Sequence, residues 1–309
     1  MGGYSMYSRR NFIRYAALGS GAAALGFMPK ELFASGEFIR LSVVHTNDLH
    51  CHFDPFPETD AEYAGRGGMV RLASIIERYR AENPNVLLLD AGDMFQGTPY
   101  FNYFKGELIL KVMTKMGYDA GTIGNHEFDN SLAEMKSALQ FAGFPFVSSN
   151  YDFSETLLAG HINDHLIVNK GGLKIGIYGL GIELDGLVNK QNFGETRYLD
   201  PLKTALNIEK KLKQEHSCNL VICLSHLGLA YEHAKISDQT IAPQTRYTDL
   251  IVGGHTHSFL DKPLVLNNAV GKPILINQAG WAALGAGKID YVFDRKRKRI
   301  STMPEFINL

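Results

Sequence analysis

The sequence predicts an α/β domain built on a largely parallel sheet, with a strand-rich antiparallel portion towards its C-terminal end. Three observations carry this. Short apolar runs rich in Val, Ile and Leu recur along the chain, as buried parallel strands require. Segments of helical period separate several of them up to about residue 255, which is the alternation of βα units. Beyond that point extended runs follow one another directly, as hairpins do. With 309 residues, 45% hydrophobic and 20% charged, the chain has enough apolar side chain for one large core.

Taken in order, strands are expected over 39–46, 86–90, 120–123, 145–149, 173–180, 220–225 and 250–253, then over 263–266, 273–277 and 287–293. A helix over 69–80 places Val70, Ala73, Ile75 and Ile76 on one apolar face. A second runs over 202–215, opened by Asp200 as cap and Pro201 in the first turn. Arg295-Lys296-Arg297-Lys298-Arg299 follows Asp294 between two extended runs. It reads as a solvated hairpin turn, and without interleaved aromatics it makes no case for nucleic acid. The three cysteines, Cys51, Cys218 and Cys223, form no disulfide framework. Cys218 and Cys223 flank the start of one extended run, too far apart to bond. Cys223 reads as core filling and Cys51 as a loop bystander. No repeat, low-complexity linker or shift in composition appears after residue 37, so 37–309 is read as a single domain.

Residues 1–36 differ. Ser8-Arg9-Arg10-Asn11-Phe12-Ile13-Arg14 precedes a small-residue apolar run from Ala16 to Phe27 and then Leu32-Phe33-Ala34-Ser35-Gly36. Basic, apolar, then small is the order of an export signal, and the arginine pair points to the twin-arginine route. The expectation is a twin-arginine signal peptide over 1–36 and a periplasmic protein, with membrane attachment only through an uncleaved signal. The apolar run is too short for a spanning helix. Removing 1–36 takes away Arg9, Arg10, Arg14, Lys30 and Glu31, which moves the net charge from −1 to about −4. No global field then gathers phosphates, so any affinity for anions must be local.

Chemistry gathers at strand ends. The run 121–130, GTIGNHEFDN, closes on Asn125, His126, Glu127 and Asp129. Four more apolar runs end in Asp48 and His50, in Asp93, in His226, and in His255 and His257. Open α/β sheets bind ligands beyond the carboxyl ends of their strands. In each two-apart pair, extended chain would point both groups the same way, towards one locus. Gly253 and Gly254 would let the backbone bend tightly beside them. Carboxylates mixed with imidazoles suit Zn, Mn or Fe better than Ca or Mg. Asp48, His50, Asp93, Asn125, His226, His255 and His257 make seven candidate ligands, more than one ion needs, so two ions sharing a carboxylate is the economical count. Two such ions suit in-line displacement at phosphorus.

Asp48-x-His50, Gly92-Asp93, Gly124-Asn125-His126-Glu127, His226 and Gly254-His255-Thr256-His257 resemble the ordered motif set of the calcineurin-like metallophosphoesterases. His45-Thr-Asn-Asp-Leu-His50, Gly92-Asp-Met-Phe-Gln-Gly-Thr98, Gly124-Asn-His-Glu-Phe-Asp129 and Gln278-Ala-Gly280 narrow it to the catalytic N-terminal domain of bacterial periplasmic 5′-nucleotidases. The resemblance covers nearly all of 38–294. It implies a four-layer α/β/β/α sandwich of two mixed sheets flanked by helices. Carried over residue by residue, Asp93 bridges two metal ions; Asp48, His50 and His257 complete one site; Asn125, His226 and His255 complete the other. His126 meets the substrate phosphate and Asp129 holds its imidazole. Ion-bound hydroxide is the implied nucleophile.

The expected activity is hydrolysis of phosphate esters, foremost 5′-nucleotides. The alternatives are 2′,3′-cyclic nucleotide phosphodiester hydrolysis, broad phosphomonoester hydrolysis, a sulfur-ester hydrolase, or a scaffold without turnover. The family's two-domain nucleotidases carry base recognition on a further C-terminal domain. This chain ends at Leu309, soon after the catalytic motifs, which leaves three expectations: a broad phosphomonoesterase, base recognition by its own loops such as Phe53–Phe56 or Phe95–Phe104, or, slightly favoured, a separately encoded partner that carries that domain. Glu127 and His45 are read as structural. Asn47 and Gln96 are read as loop hydrogen bonders beside the metals.

Overall fold

Two six-stranded sheets form the centre of the molecule, and the computed structural model describes residues 38–233 and 235–309 of it. The export segment expected over 1–36 lies outside the described residues. Sheet one contains β1 (Phe38–Thr46), β2 (Val86–Asp90), β3 (Ala120–Thr122), β4 (Phe146–Val147), β13 (Gly285–Asp294) and β14 (Arg299–Asn308). Its order is β14-β13-β1-β2-β3-β4. Sheet two contains β6 (His165–Lys170), β7 (Leu173–Gly181), β9 (Leu220–His226), β10 (Leu250–Gly253), β11 (Leu264–Asn267) and β12 (Pro273–Asn277), ordered β11-β12-β10-β9-β7-β6. The small pair β5 (Tyr151–Asp152) and β8 (Arg197–Tyr198) is antiparallel.

Each sheet has a parallel centre. β1–β2–β3–β4 are parallel in one and β7–β9–β10–β12 in the other. Antiparallel strands close the remaining edges: β13 and β14 beside β1, β6 beside β7, β11 beside β12. The strand-rich tail is therefore not a separate antiparallel portion. It divides, β11 and β12 extending sheet two and β13 and β14 returning to sheet one. β14 is the second of the two extended runs expected around the basic turn, now with bounds that the sequence does not give.

The facing sides of the sheets share one apolar layer. Leu41, Val43, Leu87 and Leu89 of sheet one meet Ile175, Ile177, Ile222, Leu224 and Val252 of sheet two. On the outer side of sheet one pack Met69–Glu82, Glu107–Met116 and Leu132–Leu139. Pro201–Lys210 packs on the outer side of sheet two. This is the α/β/β/α order. Among the described residues no helix is long and apolar enough to cross a membrane.

The helix over 69–82 buries Met69, Leu72, Ile76 and Tyr79, a face rotated from the expected one. Val70 is 80% exposed, because a stripe at spacings of three and four starting from Met69 leaves it on the outside. Asp200 caps the second helix as expected, accepting from the Lys203 N–H at 2.8 Å. That helix ends at Lys210 and continues as a wider π-type turn over Lys211–Glu215. The basic run 295–298 is the exposed turn between β13 and β14. All three cysteines are free and buried.

Glu209 on that second helix is buried. Its carboxylate accepts the N–H groups of Arg246 (2.8 Å), Tyr247 (2.9 Å) and Thr248 (2.8 Å) and the Thr248 hydroxyl (2.9 Å). It thereby fixes the turn that leads into β10. Buried donors left without an acceptor cost about 1–3 kcal/mol each, less where water enters. Glu209→Ala should therefore lower stability by about 3 kcal/mol in urea unfolding, and Glu209→Gln should recover part of it.

Candidate metal centre

The strand ends of both sheets meet at one place. β1, β2 and β3 deliver Asp48, His50, Asp93, Asn125 and His126 from sheet one; β9 and β10 deliver His226, His255 and His257 from sheet two. Two groups of potential ligand atoms result, Asp48–His50–His257 and Asp93–His226–His255. Asn125 joins the second, its Oδ1 lying 2.8 Å from His255 Nδ1. The groups are contiguous, since Asp48 Oδ1 is 3.3 Å from His257 Nε2 and 3.9 Å from His226 Nε2. All seven expected ligands are thus brought together.

The route differs from the one expected. Asp48, His50, Asp93, His255 and His257 all have φ between 48° and 72°, the left-handed region that costs an L-residue roughly 1–3 kcal/mol. The two-apart pairs therefore do not converge by strand pleat. His255 and His257 part company and serve different groups. Gly253 and Gly254 do not have positive φ; they are needed for close approach. A Cβ at Gly254 would lie 2.8 Å from His226 Nδ1 and 3.0 Å from the Ala91 carbonyl. At Gly124 it would lie 2.3 Å from Asp93 Oδ1.

Hydrogen bonds hold this backbone in place. The N–H groups of Asp48, His50 and Cys51 donate to the carbonyls of Gly92, Asp93 and Met94 at 2.9, 3.0 and 2.9 Å, so the loops after β1 and β2 run side by side. The buried Glu127 carboxylate accepts the N–H groups of Asp93 (3.0 Å), Met94 (2.8 Å), Phe95 (3.1 Å) and Gly124 (2.7 Å). Burial and the Asp93 carboxylate push its pKa up to about 7. The Asn47 amide donates to Asp48 Oδ2 (2.6 Å) and the Gly280 carbonyl (2.7 Å), and its Oδ1 accepts from the Ala279 N–H (2.8 Å). Gln278 accepts from the Thr256 hydroxyl and the Ser258 N–H and donates to the Gly254 carbonyl. The roles of Glu127 and Gln278 as clamps went unread in the sequence, although a polar residue closing β12 was a signal for Gln278. Asn47 acts as expected. Gln96 is exposed at φ 63° and does not.

The imidazoles are oriented towards a cation. His226 Nδ1 pairs with the Ala91 carbonyl at 2.7 Å and His50 Nδ1 with the Phe95 carbonyl at 3.1 Å. A carbonyl can only accept, so each Nδ1 carries the proton and each Nε2 presents a lone pair. His226 Nε2 is buried, 2.8 Å from Asp93 Oδ2, without hydrogen-bond alignment. His50 Nε2 faces His257 Nε2 at 3.1 Å. Acceptors turned on one another in a buried site require a proton or a metal ion between them. This donor chemistry, nitrogen with carboxylate and amide oxygen, fits Zn, Mn or Fe ions.

Without an ion the charges settle otherwise. Burial opposes the charge on His226, but Asp93 and then Asp48 outweigh it and raise its pKa to about 10. Burial also works against the Asp93 charge, yet His226, His126 and His50 together hold that carboxyl below the usual carboxylate range. Burial, then His226, lower His255 to about 4. His45, packed between the sheets with Nε2 3.0 Å from Asn277 Nδ2, falls by burial to about 3. It is structural, as expected.

His126 stands beside the groups, its ring 5.2 Å from that of His50. Its N–H donates to Asp93 Oδ1 at 2.8 Å, and its Nδ1 lies 2.7 Å from Asp129 Oδ2. Burial lowers its pKa, but the hydrogen bond to Asp129, then Asp93, prevail and raise it to about 9. It is a charged donor at neutral pH.

The family model of calcineurin-like phosphoesterases matches residues 41–259. The snake venom 5′-nucleotidase of Crotalus adamanteus is 34% identical over 284 residues, which are 85% of this chain and 47% of that protein. A trifunctional nucleotide phosphoesterase protein of Bacillus subtilis is 33% identical over 83% of this chain and 18% of its own length. The crystal structure of a 5′-nucleotidase precursor from Thermus thermophilus superposes with a TM-score of 0.79 at 32% identity, over 88% of this chain and 55% of that one. The chain thus spans about half the length of the first of these relatives.

In the metal-free protein, Asp129→Asn should bring the titration of His126 down from about 9 towards 6.5, followed by its ring resonances in NMR. The raised folded-state pKa also sets a sign. Stability supplied by the pair is complete below pH ~6.5 and lost as pH rises through ~9. The gap in urea stability between wild type and Asp129→Asn should therefore be wide near pH 6 and close by about pH 10.

Proposed function

The chain belongs to the calcineurin-like phosphoesterase family, and from that premise we propose that it is a metal-dependent phosphoester hydrolase acting on 5′-nucleotides. The observation that carries the proposal is the pair of contiguous ligand groups with His126 and Asp129 at their edge. Asp48, His50 and His257 would hold one ion; His226, His255 and Asn125 the other; Asp93 would serve both. Such ions, when bound, lower the pKa of a coordinated water and neutralise phosphoryl oxygens.

The protein's own residues supply the rest. The ligand groups fix the phosphate against the carboxyl ends of the strands. His126, kept charged by Asp129, donates from Nε2 to a phosphoryl oxygen as negative charge builds on it. Asp129 keeps the proton on Nδ1 and the ring in one orientation. Glu127 and Asn47 keep Asp93 and Asp48 in register. These groups address phosphate and nothing of the base. Base recognition therefore comes from surface outside these groups, and a second chain docking at the rim is the arrangement we favour among those the sequence suggests. Support for the nucleotide class comes from the venom and Thermus relatives named as 5′-nucleotidases. The Bacillus relative, named as trifunctional, supports a second reading in which the same groups also open nucleotide diesters. Export by the twin-arginine route and a periplasmic location complete the proposal; both rest on residues 8–36 of the sequence alone.

Phosphate release from AMP and from an aryl phosphate by the metal-loaded chain tests this. Release from both at comparable rates is expected. No release with two ions bound would overturn the hydrolase, and strong AMP selectivity in the chain alone would overturn the second-chain assignment. Asp93→Ala should lose both ions and all activity. His126→Ala should keep both ions by elemental analysis and lower kcat by ~10²–10³-fold.

A further inference from the structure

Three imidazoles of the two groups are held differently. His50 and His226 each have a main-chain carbonyl on Nδ1. His257 has none: within the described residues its contacts are Nε2 to His50 and Asp48. It is also the exposed member of its group, with a side chain 39% accessible where Asp48 is fully buried. Something else must set its ring.

Trp281, the chain's single tryptophan, lies parallel to that ring, with centroids 5.5 Å apart and planes 5° apart. The indole is itself confined. His52 (5.5 Å), Phe56 (5.8 Å) and Tyr63 (6.2 Å) meet it edge to face at 73–79°, and His52 stacks on Phe56. Its backbone is tied to the same group. The Ala282 N–H donates to the Asp48 carbonyl at 2.8 Å, and the Trp281 carbonyl accepts from the Leu284 N–H at 2.9 Å. These bonds hold Ala282 and Ala283 at φ 52° and 53°, strain that a surface loop would shed. Residues 281–282 thus touch two of the three members of the Asp48–His50–His257 group.

We propose that Trp281 is a positioning residue for His257, orienting this imidazole by stacking as the carbonyls of Phe95 and Ala91 orient His50 and His226. An aromatic face suits an imidazole that gains positive character on binding an ion. The proposal rests on reading Asp48–His50–His257 as an ion site. It makes the two sites separable, since a change at position 281 acts on one of them.

The test titrates Mn²⁺ into the metal-stripped full-length protein, with calorimetry for binding and indole emission as a reporter beside the Asp48 group. Wild type should bind two ions, one event quenching the emission. Trp281→Ala should weaken that event ~10–100-fold, the size of loss expected when a residue supporting a ligand is removed, and leave the other within about twofold. Trp281→Phe should recover most of the loss, because a phenyl ring still offers a face. Unchanged binding of both ions in Trp281→Ala overturns the proposal and leaves the ion sites standing. Equal weakening of both, or no rescue by Phe, also overturns it, as the ring would then serve the fold alone. Failure of wild type to bind any Mn²⁺ overturns the ion-site reading beneath it.

Discussion

Glu127 gathers four backbone N–H groups from two loops, three following β2 and one following β3. Through Asp93 and Gly124 it sets the spacing at which Asp93, Asn125 and His126 face one another. The loop after β1 hydrogen-bonds along the same β2 loop, so Asp48 and His50 inherit their positions from it. Asp48 then receives the His255 N–H on both carboxylate oxygens, which links sheet one to sheet two. One buried carboxylate therefore stands upstream of nearly every distance in the site. Its raised pKa follows from the work it does: burial and a neighbouring carboxylate oppose its charge, while the N–H groups and His226 favour it.

The site departs from relaxed geometry in a consistent direction. Five of the seven ligand positions are left-handed, and the acceptor atoms of His226 and Asp93 are turned on one another, with His50 Nε2 facing His257 Nε2. Each feature is unfavourable by itself, and together they pre-form a space for positive charge. A metal ion bound there would relieve the acceptor repulsion and share its charge among several ligands, whereas a proton relieves one contact only. An ion that binds the folded site and not the unfolded chain would therefore also stabilise the fold.

Much of this was legible in the sequence, for physical reasons that differ by element. β2 and β10 were read to the residue because parallel strands buried on both faces need unbroken apolar runs. The ligand types at the strand ends followed from the same runs. The basic turn implies the run that became β14, but not its bounds, because an edge strand carries one solvated face and Pro304 within it argues against pairing; its partner β13 decides its extent. Glu107–Met116 escaped although Ile109, Leu110, Met113 and Met116 form its buried stripe. The left-handed turns left no trace, since Asp and His are compatible with either sign of φ and tertiary hydrogen bonds choose between them. The clamp of Glu127 on the loop after β2 and the stack on Trp281 leave no local signal for the same reason: those partners lie in other segments.

The course of the chain through sheet one bears on how the protein is made. β1, the first strand among the described residues, sits in the middle of its sheet, and its second neighbour is β13, pairing Val43 with Ile289. A ribosome-bound chain that has not yet reached residue 285 carries β1 with one ladder of N–H and C=O groups unpaired. Contacts this distant in the sequence close late and slowly. The sheet that bears Asp48 and Asp93 is therefore completed only once residues 285–294 have been made, and a product cut short before them displays an open strand edge.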